Sequence, residues 1–155
     1  MLISDYLQTQ CVLVDLNCET KEEVLKQLAE LQFTLHPEVD REETMASLFE
    51  REQLLSTGIG DGIAIPHARI GSCNEIFVSF GLLKKDVDFN ALDSKPVRMV
   101  FLILFPKDKV NLQLRFLARV SRVLQISSLH DELYNCERPE EVIEIFKQYE
   151  EKHFH

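Results

Sequence analysis

The chain has 155 residues, of which 45% are hydrophobic and 28% are charged, and these proportions are typical of a soluble globular protein that can bury a core. Its formal net charge of −9 would repel a phosphate backbone, so nucleic-acid binding is not expected. The best candidate for a membrane segment, the apolar run at 99–105, is far shorter than the ~18 residues that a membrane helix needs. The first ten residues lack the basic region of a secretory signal. We therefore expect a cytoplasmic protein that is not embedded in a membrane.

The four cysteines are far apart in the sequence and form no CxxC pair. They are Cys11, Cys18, Cys73 and Cys136. This spacing supports neither a zinc site nor a redox dithiol, and thiols of this kind are typically buried or idle in a reducing compartment. The sequence therefore predicts no metal site and no cofactor.

The first part of the chain predicts a strand followed by a helix. Residues 11–16 are β-branched and apolar, which favours a strand. Thr20 and Glu23 form a capping box, and the helix that they open should end before Pro37. The apolar residues of this helix recur at helical spacing: Val24, Leu25, Leu28, Leu31 and Leu35.

A second capping pattern, Asp40 with Glu43, predicts a helix that runs to about Leu55 and has stopped by Gly58. Extended segments should follow. They are residues 63–66, 76–83, 87–89 and 97–105.

The last third of the chain is predicted to be helical. A third helix should cover residues 111–124, with Leu114, Leu117, Val120 and Leu124 facing inward. Ser128 is expected to cap a short helix over 129–134. Pro139 should occupy the first turn of a final helix over 140–151, whose apolar face carries Val142, Ile143 and Phe146.

Strands and helices alternate along the chain, and neither repeats nor a linker interrupt them. The central strands are continuous apolar runs, which is typical of a sheet covered on both faces. The sequence therefore predicts a single α/β domain over residues 1–155, with a mixed central sheet and helices packed on both of its faces.

Three of the five glycines fall in one short stretch, at Gly58, Gly60 and Gly62. Glycine permits a positive φ, so this stretch can turn tightly and leave consecutive N–H groups around an anion. The alternative is that it only connects a helix to a strand. No lysine of a phosphate-binding P-loop follows it.

His67 follows this stretch directly after Pro66. The proline restricts the backbone of Ile65 to an extended conformation, so the histidine should lie on a rigid approach at the end of a short strand. Neutral imidazole is a good nucleophile near pH 7 because its ordinary pKa is about 6.5. His67 is therefore the candidate catalytic residue.

The run REQLLSTGIGDGIAIPH, residues 51–67, resembles the signature of the fructose/mannitol-type enzyme IIA domains of the bacterial phosphoenolpyruvate-dependent phosphotransferase system. The segment VDFNALDSKPV at 87–97, followed by an apolar strand, is similar to the second half of that family. The resemblance covers nearly the whole chain, and within the family it looks closest to the free-standing nitrogen-regulatory IIA proteins.

This resemblance implies that the protein is a phosphocarrier. His67 would accept a phosphoryl group at Nε2 from a histidine phosphocarrier protein and pass it to a IIB transporter component or use it to signal to a regulatory target. Arg51 matches the arginine of the family motif, and its planar guanidinium suits phosphate oxygens. Ser56 and Thr57 offer hydroxyl donors to the phosphate, although capping or turn roles are equally compatible with their positions.

One position departs from the family pattern. Many members have a second histidine where this chain has Gln113, which can donate a hydrogen bond to phosphate but cannot carry positive charge. This substitution leaves open a binding module that is poorly phosphorylated as an alternative to a regulatory phosphocarrier. Within the family, the other alternative is the soluble IIA component of a fructose/mannitol-type transporter. Arg115, Arg119 and Arg122 nearby share a helical face, which is either solvated or a docking surface.

Overall fold

The computed structural model describes residues 1–54 and 56–154, and a mixed β-sheet is the framework of this part of the chain. Its six strands are β1 (Val12–Leu16), β2 (Gly58–Gly60), β3 (Ile63–Ala64), β4 (His67–Ile70), β5 (Phe77–Val87) and β6 (Val97–Pro106). The α-helices are α1 (Lys21–Leu35), α2 (Arg41–Leu54), α3 (Val110–Leu124), α4 (Ser127–Tyr134) and α5 (Pro139–His153). Two short 3₁₀ helices, Ile3–Tyr6 and Thr9–Cys11, precede β1.

The strand order β1-β5-β6-β3-β2 places the long apolar strands β5 and β6 in the middle of the sheet. They pair with each other antiparallel, whereas β1 runs parallel to β5, and both β3 and β4 run parallel to β6. β3 pairs with the first part of β6 and β4 with its last part, because His67 lies opposite Ile103. This register brings His67 close to the end of the sheet where β6 leads into α3.

Side chains of β6 alternate between two cores, one on each face of the sheet. Met99, Phe101, Ile103 and Phe105 pack with α3, α4 and α5. Val100, Leu102 and Leu104 pack with α1 and α2 on the other face. The predicted fold class, a mixed sheet with helices on both faces, is therefore confirmed.

The predicted starts of α1 and α2 are confirmed by hydrogen bonds at their caps. Thr20 Oγ1 accepts from the backbone N–H of Glu23 at 3.2 Å, and Asp40 Oδ1 accepts from the N–H of Glu43 at 3.0 Å. Pro139 opens α5, as expected of a residue that has no N–H to satisfy. The end predicted for α2, about Leu55, lies outside the described residues. No helix in the described residues is both long and apolar enough to cross a membrane.

Three predictions about the elements were wrong. Leu114 is 61% exposed, because the buried stripe of α3 runs through Phe116, Val120, Val123 and Leu124, and Leu114 lies on the opposite side of that helix. Ser128 is the second residue of α4, whose N-cap is Ile126, so it does not cap the helix. Residues 87–89 form no separate strand, since Val87 ends β5.

The glycine-rich stretch forms a β-hairpin. β2 and β3 pair antiparallel, and three consecutive residues from the end of β2 through the turn have positive φ: Gly60 at 101°, Asp61 at 56° and Gly62 at 78°. The N–H of Asp61 donates to Asp93 Oδ2 at 3.1 Å, so this turn contacts the loop before β6. The glycines thus build a hairpin, and His67 opens β4 where the end of a strand was predicted.

Candidate active site

His67 lies at the point where the chain leaves the hairpin and enters β4. Its backbone is fixed by the sheet, because Pro66 O accepts a hydrogen bond from the N–H of Ile103 at 2.9 Å. The side chain is half-buried, and its ring contacts the edge of Phe105 with the centroids 6.3 Å apart. The imidazole is therefore anchored and still reachable from solvent.

One ring nitrogen of His67 has a definite partner. Nδ1 lies 2.8 Å from the carbonyl oxygen of Ile65, two residues earlier. A carbonyl oxygen only accepts hydrogen bonds, so Nδ1 must carry the proton in this contact. In the neutral ring the lone pair is then on Nε2, which is the nucleophilic nitrogen.

The surroundings of His67 favour its neutral form. Burial is the main cause that lowers the pKa of the imidazole below its usual value, and the positive charge of Arg51 lowers it further. The hydrogen bond to Ile65 and the negative charge of Glu52 act in the opposite direction but do not reverse the shift. The ring therefore stays uncharged, and able to act as a nucleophile, to a lower pH than a free histidine.

His67 lines an open cleft of about 590 Å³ at the edge of the sheet, between α2 and the start of α3. The described residues around it are Ser47, Glu50, Arg51, Leu54, His67, Ala68, Arg69, Lys107 and Gln113. Three of them are cationic and one is anionic. In a chain with a net charge of −9, this local excess of positive charge is suited to an anionic ligand.

Three of the predicted site residues meet in this cleft. Arg51 comes from the last turn of α2, His67 from β4 and Gln113 from the first turns of α3. The side-chain oxygen of Gln113 is buried, and no described group donates a hydrogen bond to it. Its amide nitrogen is a donor for a bound anion but adds no charge.

Ser56 and Thr57 are not among the residues that line the cleft, and other groups in the described structure bind their hydroxyls. Ser56 Oγ donates to the carbonyl of Phe89 and accepts from the N–H of Gly58 at 3.0 Å. Thr57 is buried, and its hydroxyl donates to the carboxylate of Glu52. The three hairpin glycines, which all lie in the described part of the chain, do not line the cleft either. The amide concavity predicted for them is therefore not part of this site.

Two cations of the cleft, Arg69 and Lys107, were not predicted as site residues. Arg69 follows His67 by two positions in β4, so strand periodicity places both side chains on one face. The spacing of two residues could therefore have identified Arg69 as a site residue from the sequence. Lys107 follows the end of β6, and its position depends on the pairing of Ile70 with Pro106, for which no local pattern exists. Within residues 1–54 and 56–154 there is no cluster of three or more metal-ligating side chains.

The cleft combines a nucleophile with positive charge. A neutral imidazole with a free lone pair on Nε2 lines a cleft that also carries two guanidinium groups and one ammonium group. The imidazole of such a site can attack an electrophile that carries negative charge, and a phosphoryl group is an electrophile of this kind that arginine and lysine side chains bind.

The comparison with protein families agrees with this chemistry. The family model described as "Phosphoenolpyruvate-dependent sugar phosphotransferase system, EIIA 2" matches residues 5–149. The chain belongs to this family. It is thus a type 2 EIIA protein, and the family resemblance stated from residues 51–67 and 87–97 is confirmed.

Relatives of this EIIA protein have both regulatory and transport names. A nitrogen regulatory protein of Pseudomonas aeruginosa is 35% identical over 133 residues, which cover 86% of each chain. The fructose-specific EIIABC component of Bacillus subtilis is 30% identical over 150 residues, 97% of this chain. The chain spans only 24% of the length of that second relative.

A solved structure shows the same fold. The nitrogen regulatory protein IIA-Ntr of Neisseria meningitidis superposes with a TM-score of 0.83 at 27% sequence identity, covering 93% of this chain and 98% of that one. The EIIA fold thus holds over almost all of the chain.

Proposed function

We propose that this EIIA protein accepts a phosphoryl group on Nε2 of His67 from the phosphohistidine of a histidine phosphocarrier protein. The observation that carries the proposal is the contact between His67 Nδ1 and the carbonyl of Ile65, which leaves Nε2 as the nucleophile in a cationic cleft. The proposal includes the cytoplasmic location expected from the sequence.

The transfer is a displacement at phosphorus. The Nε2 lone pair forms the new N–P bond while the N–P bond to the donor histidine breaks, and the electron pair of that bond returns to the donor imidazole. Positive charge develops on the ring of His67, and the carbonyl oxygen of Ile65 stabilises it through the proton on Nδ1. No further acid or base is needed.

Arg51, Arg69 and Lys107 have the role of neutralising the phosphoryl oxygens. Gln113 supplies a neutral donor where many family members have a second histidine, so the charge on the oxygens is offset by these three cations. Ser56 and Thr57 are left out of the phosphate site because their hydroxyls are bound elsewhere.

The output that we propose is regulatory and related to nitrogen metabolism. The similarity to the Pseudomonas protein, which covers most of both chains, supports it. The alternative is that the chain is the EIIA unit of a fructose/mannitol-type transporter and passes its phosphoryl group to a IIB component, which the Bacillus relative favours. Transfer of label from the phosphorylated chain to a purified IIB protein would favour this alternative.

The direct test is phosphorylation by phosphoenolpyruvate, the first enzyme of the pathway and the histidine phosphocarrier protein. We expect the intact mass to rise by one phosphate, about 80 Da, on a side chain that gains negative charge. His67→Ala should abolish the gain, whereas His36→Ala should keep it, because His36 lies against Phe77, away from the cleft.

Gln113 favours a second candidate, a binding module that is poorly phosphorylated. The same experiment separates the two functions. A correctly folded protein that gains no mass under conditions where another EIIA protein is phosphorylated would support the module and overturn the phosphocarrier.

A further inference from the structure

Glu52 is a buried carboxylate next to Arg51, and the phosphoryl-transfer chemistry above does not use it. Its side chain is 3% exposed. It accepts from the backbone N–H of Thr57 at 3.2 Å and from the Thr57 hydroxyl, and it pairs with Lys21 Nζ at 3.4 Å. A buried charge is costly, so three donors gathered around one carboxylate indicate a rigid anchor.

Hydrogen bonds connect this anchor to the ring of His67. The carbonyl of Thr57 accepts from the N–H of Ile65 at 2.9 Å, and the carbonyl of Ile65 in turn accepts from His67 Nδ1 at 2.8 Å. The peptide groups of Thr57 and Ile65 therefore stand between the carboxylate and the imidazole. Pro66, which follows Ile65, has no N–H and a fixed φ, so Ile65 has little freedom to compensate for a change at Thr57.

We propose that Glu52 is a positioning residue, which through Thr57 and Ile65 holds the carbonyl group that keeps the proton of His67 on Nδ1. Lys21, the first residue of α1, completes the anchor from the other side of the carboxylate. The effect of Glu52 on phosphoryl transfer rests on the proposed function. Its effect on the tautomer of His67 does not.

A structural role of Glu52, limited to closing the end of α2, makes a different prediction. Loss of the anchor would then lower the free energy of unfolding but leave the His67 ring unchanged in the folded protein. The proposed role requires that the ring itself responds. The tautomer of His67 is therefore the measurement that separates the two roles.

Thr57 offers a matched pair of variants. Thr57→Val keeps the shape and the backbone N–H of the residue but removes the hydroxyl that donates to Glu52, whereas Thr57→Ser keeps the hydroxyl. Glu52→Gln keeps the size of the side chain but removes the charge that pairs with Lys21. Glu22→Gln, on the exposed first turn of α1, makes the same charge change next to Lys21 and is the control.

The first experiment measures the ring nitrogens of His67 by ¹⁵N NMR in the unphosphorylated protein, at a pH where the ring is neutral. We expect Nδ1 to be protonated and Nε2 unprotonated in the wild type, Thr57→Ser and Glu22→Gln. In folded Thr57→Val and Glu52→Gln, the two nitrogen signals should move towards each other as the second tautomer becomes populated. Unchanged signals in both folded variants would overturn the proposal.

The second experiment measures the rate of phosphoryl transfer from the phosphorylated donor. We expect kcat to fall about 10-fold in Thr57→Val and Glu52→Gln, since a misplaced reacting group costs up to about 100-fold. KM should stay unchanged because the Glu52 carboxylate is buried and cannot touch the donor. A rise in KM at constant kcat would contradict the proposal. If the wild type is not phosphorylated at all, the proposed function fails, and the NMR result still decides the role of Glu52.

Discussion

The chemistry of His67 depends on which of its ring nitrogens carries a proton. Pro66 separates His67 from Ile65, and the extended backbone around it brings the Ile65 carbonyl to Nδ1 of the ring. The neighbouring backbone therefore supplies the carbonyl that accepts the Nδ1 proton, and burial keeps the ring neutral by lowering its pKa. Together these two effects leave the Nε2 lone pair available for attack on a phosphoryl group.

Arg51 is the cleft cation that matches the family motif, so its removal tests the electrostatic part of the account. Arg51→Ala should slow transfer to His67 by about 100-fold, near the lower end of the effect of deleting one donor at a developing negative charge, because Arg69 and Lys107 remain. The measurement is the single-turnover rate from the phosphorylated donor.

The control for Arg51 is Arg41→Ala, which removes a cation from the same helix. Arg41 is exposed and pairs with Glu30, outside the cleft. Both variants should keep the circular dichroism spectrum of the wild type. Equal rates in the two variants would remove Arg51 from the phosphate site.

Two of the three arginines that follow Gln113 on α3 have structural partners. Arg119 Nε pairs with Glu150 at 3.1 Å, and the guanidinium groups of Arg119 and Arg122 each lie 4.7 Å from the ring centroid of Phe154. Arg119 and Arg122, which share a helical face with Arg115, thus contact the C-terminal end of α5. These contacts favour a structural role for the arginine face of α3 over a docking surface.

At the scale of elements, local patterns predicted most of the framework. Thr20, Asp40 and Pro139 mark helix starts because capping is a property of a few neighbouring residues. The apolar runs that became β5 and β6 were predicted because a strand buried on both faces needs such a run. His67 was predicted from its sequence neighbours for the same local reason.

The parts of the sheet that were missed are two short strands, whose formation depends on their pairing partners. β2 pairs with β3 across a tight turn, whereas β4 pairs with residues of β6 that are far away in the sequence. The register of His67 with Ile103 makes it the first residue of a strand, and the same register brings Lys107 to the cleft. Ser56 and Thr57 were predicted either to donate to the phosphate or to have capping or turn roles, and the hydrogen bonds of their hydroxyls to Phe89 and Glu52 favour the second interpretation.

At the scale of the whole molecule, Glu150 joins the two ends of the chain. Its fully buried carboxylate accepts from the N–H groups of Ile3 at 2.6 Å and Ser4 at 2.9 Å, and it pairs with Arg119. The first 3₁₀ helix, α5 and α3 therefore meet at one charge, on the face of the sheet opposite to α1 and α2.

Removal of this charge should destabilise the fold without touching the cleft. Glu150→Ala removes the acceptor of the buried N–H of Ile3 and the partner of Arg119, and an unsatisfied buried donor costs about 1–3 kcal/mol of unfolding free energy. Each kcal/mol lowers Tm by about 2–4 °C in a chain of this size. Calorimetry of Glu150→Ala against Glu151→Ala, an exposed neighbour, tests this. Equal Tm values would show that the carboxylate contributes nothing.

The position of the phosphoryl group on the His67 ring is the most direct test of Nε2 as the acceptor. The ¹⁵N-labelled protein is phosphorylated through the histidine phosphocarrier protein, and the histidine ring nitrogens are followed by ¹⁵N and ³¹P NMR. We expect a single phosphohistidine, at His67, with phosphorus on Nε2 and the proton still on Nδ1. Phosphorus on Nδ1 of His67, or on another histidine, would contradict it.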